Sequence, residues 1–201
     1  MNRGVIVTGG GNGIGKQICL DFLEAGDKVC FIDIDEAGSS RLEKEHENLF
    51  FFHGDVADPL TLKSFVEYAM NKLTRIDVLV NNACTSKRGI LSGTSYEDFD
   101  YTLSVGLKAP YELSRLCKDE LIKNKGRIIN IASTRAFQSE PDSEAYASAK
   151  GGIVALTHAL AISLGPDVLV NCIAPGWINV TEQQEFSVED TAAIPAGKVG
   201  S

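Results

Sequence analysis

Thr8-Gly9-Gly10-Gly11-Asn12-Gly13-Ile14-Gly15 stands between the apolar run Val5-Ile6-Val7 and an amphipathic stretch carrying Ile18, Phe22 and Leu23 that Gly26 closes. Glycines let the backbone turn sharply and approach a pyrophosphate, which then rests on the unpaired N–H groups of a helix N-terminus. Placed after a first strand and before a helix, this loop reads as a dinucleotide site, the plain alternative being a flexible turn. The second apolar run ends at Asp33, where a carboxylate can accept hydrogen bonds from both hydroxyls of an adenosine ribose. The same charge repels a 2′-phosphate. No Arg or Lys follows it in Ile34-Asp35-Glu36, and Asn12 rather than a basic residue precedes the second fingerprint glycine. The expected cofactor is therefore NAD in preference to NADP.

Outward from this loop, short apolar runs alternate with amphipathic stretches to the end of the chain. Val29-Cys30-Phe31-Ile32 precedes a charged helix ending near His46, and Leu49-Phe50-Phe51-Phe52 precedes a helix started at Asp58-Pro59. Val78-Leu79-Val80 leads through a loop into a long helix from about Ser95 to Leu121. Arg127-Ile128-Ile129-Asn130-Ile131, a helix around Tyr146, and Val168-Leu169-Val170-Asn171-Cys172-Ile173 complete the series. The runs are continuously apolar, as in parallel strands buried on both faces with helices as right-handed crossovers. The expectation is one domain over residues 1–201, a doubly wound, three-layered α/β sheet of Rossmann type.

Composition narrows the function classes. The 201 residues carry a formal charge of −8, which disfavours nucleic acid and anionic membrane as electrostatic partners. Cys19, Cys30, Cys84, Cys117 and Cys172 are odd in number and form no CxxC pair. They read as free, mostly buried thiols suited to a reducing cytoplasm. His46, His53 and His158 make no metal spacing, so no metal site is expected. Asn179-Val180-Thr181 matches a glycosylation sequon, read as coincidence in a chain whose start shows no signal segment.

Tyr146-Ala-Ser-Ala-Lys150 lies on an apolar-periodic helix that continues through Ile153, Val154, Leu156 and Leu160. Residues four apart share a helix face, so phenol and ammonium enter the same space. A nearby positive charge stabilises a phenolate and lowers its pKa from about 10. The pair is a candidate acid/base unit, set against the plain reading of a solvated helix face.

With the G-x-x-x-G-x-G spacing of Gly9, Gly13 and Gly15, with Asn81-Asn82-Ala83 and Ser133, and with the Tyr146/Lys150 pair, the chain resembles the short-chain dehydrogenase/reductase family in its small single-domain branch. The resemblance spans essentially the whole chain. It implies that Asn12, Gly13 and Ile14 line the loop at the cofactor, and that Asp55 and Val56 flank the adenine. Asn82 and Ala83 lie by the cofactor, and Pro175, Gly176 and Ile178 hold its nicotinamide end. Ser133 hydrogen-bonds the substrate oxygen, and Lys150 also bonds the nicotinamide ribose. A homo-oligomer is implied, with the long helix near 95–121 and the Tyr146 helix as interface elements.

Four departures from the pattern stand out. Cys84 replaces the glycine usual after Asn-Asn-Ala. Gly106 stands where the family has an asparagine that holds a water linking the lysine to solvent, and is expected to leave room for an extra water in its place. The plain alternative is a glycine that permits close helix packing. Val180 occupies the position of a carboxamide-binding threonine, with Thr181 one step late. Finally, Ile194 to Ser201 resembles a segment after which family members continue; a longer natural chain, and absence of the last family strand here, are expected.

The functional expectation is an oxidoreductase interconverting an alcohol and a ketone with NAD. Tyr146 is the general acid/base, Lys150 tunes it, and Ser133 orients the oxygen. The alternatives are a dinucleotide-binding redox sensor without turnover and an assembly subunit of a larger complex. Thr85 to Leu91, Thr134 to Glu144 and Trp177 onward are candidate pocket walls, with Lys87, Arg88, Arg135 and Gln138 suited to a polar or anionic substrate. Residues 181–193 are expected to form a lid.

Overall fold

In the computed structural model the described residues are 2–87, 89–180, 186–192 and 194–200. In chain order they form β1 (Gly4–Thr8), α1 (Gly13–Glu24), β2 (Lys28–Asp33), α2 (Glu36–Glu45), β3 (Leu49–His53) and α3 (Pro59–Leu73). There follow β4 (Val78–Asn81), α4 (Tyr96–Leu103), α5 (Ala109–Lys123), β5 (Arg127–Ile131), α6 (Glu144–Leu164), β6 (Leu169–Ile173) and a short α7 (Val188–Ala192). Local chemistry sets the helix starts. Asp58 caps α3 by accepting from the N–H groups of Leu60 and Thr61, with Pro59 in the first turn. Asp35 and Ser95 cap α2 and α4 in the same way.

All six strands are parallel, in the order β3-β2-β1-β4-β5-β6. The chain winds outward from β1 to β3, then returns to β4 on the other side of β1. That reversal opens a crevice beyond the carboxyl ends of β1 and β4, where ligands of such sheets bind. Alternate residues of β1 serve the two faces of the sheet. Ile6 joins Leu62, Phe65, Leu113 and Leu121 under α3 and α5, while Val5 and Val7 join Cys19, Phe31 and Leu42 under α1 and α2.

Burial on both faces holds for β1 and β4 throughout and for the middle of β2. It fails at β6, where Leu169 and Ile173 are 49% and 55% exposed. There α6 covers the Val170 face, and no described element covers the other. The thiol expectation is likewise correct for Cys19, Cys30 and Cys117, whereas Cys84 and Cys172 are only partly buried. The expected long helix is helical throughout but not uniformly α. Between α4 and α5, Ser104–Lys108 form a π turn in which the Ala109 N–H donates to the Ser104 carbonyl. Helix α6 is long and apolar enough, by length and composition alone, to cross a membrane; here Ala145, Ala149, Lys150, Ile153 and Thr157 are its buried positions.

Candidate active site

At the nucleotide end the site is built from backbone. Gly9 has φ +66°, and a Cβ on Gly15 would lie 1.9 Å from the Gly9 carbonyl oxygen, so loop and helix meet at a distance that only glycine permits. The Asn82 side-chain amide donates to the Thr8 and Gly9 carbonyls at 3.0 Å each. The Thr8 hydroxyl accepts from the N–H groups of Asn82 and Ala83. The ends of β1 and β4 are thereby stitched together beneath the crevice, and the Asn82 amide serves the loop itself. Asn12 caps α1 without a side-chain hydrogen bond. The first N–H groups of that helix therefore remain suited to an anion.

Asp33 at the end of β2 accepts from Gly11 N at 2.8 Å and Asp35 N at 3.0 Å. Its carboxylate is fixed at the cavity wall by loop backbone on two sides. Asp55 accepts from Ala57 N at 2.8 Å and from the Tyr101 hydroxyl at 2.9 Å. Burial, and then the Asp55 carboxylate, raise the Tyr101 pKa and keep it a donor. Sequence reasoning missed Tyr101. The available signal was its place one helical turn before Val105, which lines the same cavity.

At the other end the site is built from side chains. Ser133, at the end of β5, is buried, and its hydroxyl accepts from Arg135 N at 3.2 Å. Tyr146 and Lys150 come from successive turns of α6. The Lys150 side chain is 3% exposed, donates to the Ile131 carbonyl at 2.6 Å, and lies 5.5 Å from the centre of the Tyr146 ring. Burial, and secondarily Cys84, raise the Tyr146 pKa, while the Ser133 hydrogen bond and the Arg135 charge oppose them. The net shift is upward where a lowering by Lys150 was expected; Ser133 and Arg135 pull it down, while the Lys150 ammonium donates to Ile131 and stands beside the ring.

The cavity holding these groups measures about 520 Å³ and is lined by every residue singled out from the sequence as catalytic or cofactor-binding, from Gly9 to Ile178. Cys84 and Val180 line it too, with Val180 against Gly13. The room expected at Gly106 is not there. A Cβ at this position would lie 2.9 Å from Ala149 Cβ and 3.4 Å from Cys84 Sγ, so Gly106 lets the π turn pack closely on α6. Of the candidate substrate cations, Lys87 faces Asp98 at 3.6 Å and the Tyr101 ring. Arg135 pairs with Glu140 and donates to the Gln138 carbonyl. Neither is a free charge. Arg88, Thr181 and the expected lid residues 181–185 and 193 lie outside the described residues; just beyond, Phe186 meets Trp177 edge-on with ring centres 5.0 Å apart.

The family model described as short chain dehydrogenase matches residues 3–192. An oxidoreductase of Thermotoga maritima is 43% identical, over 98% of this chain and 82% of its own length. A solved apo SCOR enzyme from Clostridium thermocellum is 85% identical with a TM-score of 0.95, covering 100% of this chain and 81% of that one. A blue fluorescent protein from a metagenomic library, solved in complex with NADPH, is 28% identical with a TM-score of 0.90, covering 98% and 85% of the two chains.

Proposed function

The chain belongs to the short-chain dehydrogenase family, and within it we propose an NAD-dependent enzyme that interconverts an alcohol and a ketone. The observation that carries this reading is the opening of Ser133, Tyr146 and Lys150 into the same cavity as the glycine loop and Asp33. A nicotinamide dinucleotide fits the residues present. The Gly9–Gly15 approach and the open first turn of α1 suit a pyrophosphate, with Asn12, Gly13 and Ile14 around it. Asp33 suits the adenosine ribose, and Asp55 with Val56 the adenine. Ala83, Pro175, Gly176 and Ile178 line the same cavity and suit the nicotinamide end.

When bound, such a cofactor supplies the hydride chemistry. The chain supplies the proton and the geometry. In reduction the Tyr146 hydroxyl gives its proton to the ketone oxygen, and in oxidation the phenolate takes it back. Burial keeps the phenol protonated and ready to donate. Ser133 donates to the same oxygen and holds it against Tyr146. Lys150, fixed by Ile131, places a positive charge under the ring, where it stabilises the phenolate as it forms.

Asp33 supports NAD, because its carboxylate opposes a 2′-phosphate. The relative that binds NADPH favours NADP as the second reading. A panel of small alcohols and ketones assayed with both cofactors separates the possibilities. Turnover with NAD preferred by at least about tenfold, roughly 1.4 kcal/mol, is expected. Equal affinities overturn the NAD assignment, and tight NADH binding with no oxidation by any ketone favours the redox-sensor alternative. Exposed Ile162 on α6 and Tyr111 on α5 suit the self-association implied for these helices, which sedimentation of the purified chain tests.

A further inference from the structure

Cys84, Tyr146 and Lys150 line one cavity, and Gly106 of the π turn packs against Cys84 and against Ala149, the residue before Lys150 on α6. The Cys84 thiol donates toward the Thr85 carbonyl at 3.5 Å, which leaves the sulfur lone pairs to accept. The Lys150 ammonium has three N–H donors. One goes to the Ile131 carbonyl, and the group is 3% exposed. Gly106 gives the sulfur its place: a Cβ there would stand 3.4 Å from Cys84 Sγ and 2.9 Å from Ala149 Cβ, the residue before Lys150. A side chain at 106 would have to push back Ala149, and with it this turn of α6, while already touching the sulfur.

We propose that Cys84 is a positioning residue of the catalytic site, its sulfur accepting an N–H of the Lys150 ammonium in space that Gly106 leaves open. This rests on the reading of Lys150 as part of the acid/base machinery. The electrostatics agree in both directions. Burial lowers the Lys150 pKa and Cys84 opposes it; burial raises the Cys84 pKa and Lys150 opposes it. A buried ammonium left with one acceptor loses its proton more easily, so Cys84 extends the pH range over which Lys150 stays charged.

The test has two arms on the full chain. In the first, rates against pH are compared for the wild type, Cys84→Ala and Cys84→Ser. Removing the acceptor should move the alkaline limb to lower pH by about half a unit, roughly threefold in rate on that limb. The serine hydroxyl should restore most of the shift, which a loss of packing alone would not do. Coincident limbs in all three proteins overturn the proposal. The second arm needs no turnover. In a Cys172→Ser background, alkylation of Cys84 by iodoacetamide is followed against pH by peptide mass. Lys150→Met should raise the thiol pKa and slow alkylation about threefold near pH ~8, whereas Lys150→Arg, which keeps the charge, should not. An unchanged thiol titration in Lys150→Met overturns the pairing. A shifted titration in a protein that turns over no substrate upholds the pairing and removes the oxidoreductase reading instead.

Discussion

Around the glycine loop the site is made of backbone, and around Tyr146 it is made of side chains buried from several directions. The first region holds its shape through carbonyl and N–H groups: Asn82 on Thr8 and Gly9, Asp33 on Gly11, and a Gly15–Gly9 contact that excludes even a methyl group. The second holds its shape through what surrounds each functional group, namely Ile131 and Cys84 for Lys150, and Ser133 and Arg135 for Tyr146. Substitutions in the first region should act on ligand affinity, and those in the second on the rate of the chemical step.

The widest separation is expected at Tyr146. Tyr146→Phe removes the proton and little else, so turnover should fall by ~10²–10⁴-fold with cofactor affinity nearly unchanged. Full activity in that variant would break the assignment. Gly15→Ala probes the other region, because its methyl group must displace the Gly9 carbonyl. Overpacking of this kind costs about 1–3 kcal/mol, and it should appear as weakened cofactor binding in a titration, with the pH profile of residual activity unchanged. A smaller effect belongs to Asp33→Ala, which should shrink an NAD preference of about tenfold, ~1.4 kcal/mol, toward equality. A preference that survives intact would show that another group repels the 2′-phosphate.

The smallest effect lies at the opposite end of the strands, where it serves as a control for both regions. Asp27 is buried; burial alone would raise its pKa, but its hydrogen bonds and ion pair with Arg3 outweigh this and hold it below 3.8. A carboxylate depressed by folding contributes stability above its unfolded pKa and loses it as pH falls through the folded value. Urea midpoints of the wild type and Asp27→Asn should therefore differ at neutral pH and draw together as the pH falls below the ordinary carboxylate range. Turnover should be equal in both proteins at neutral pH.

Much of the architecture was legible because apolar runs bounded by glycines and caps report burial directly. The loop from Thr8 to Gly15 is local in sequence and local in space, so its reading as the turn from first strand to first helix survived intact. The edge position of β6 followed from the expected absence of a further strand, whereas its exposed face did not show, because an edge strand and a central strand share the same apolar composition. The partners of the catalytic groups were hidden for a different reason. Ile131 offers Lys150 a backbone carbonyl, which leaves no residue-type signature. Tyr101 and Asp55 are 46 positions apart, so nothing in either neighbourhood announces their hydrogen bond. At Gly106 the missing side chain suggested vacant space, but the neighbours Ala149 and Cys84 had already filled it.

The π turn at Ser104–Lys108 makes the helical rod a lever with a fixed offset. Tyr101 steadies Asp55 at one end of the cavity, and Gly106, five residues on, meets Cys84 and the turn of α6 that carries Lys150 at the other. At 1.5 Å per residue those grips are only about 7.5 Å apart along the axis. The i→i+5 turn takes in one residue more than an α turn. Deleting a single residue from this segment would let it close as a plain α turn, keeping Tyr101 on Asp55 and α5 in the core while withdrawing the Gly106 backbone from Ala149 and Cys84. A one-residue deletion would thus leave the Asp55 end of the cavity in place and alter the Lys150 end alone.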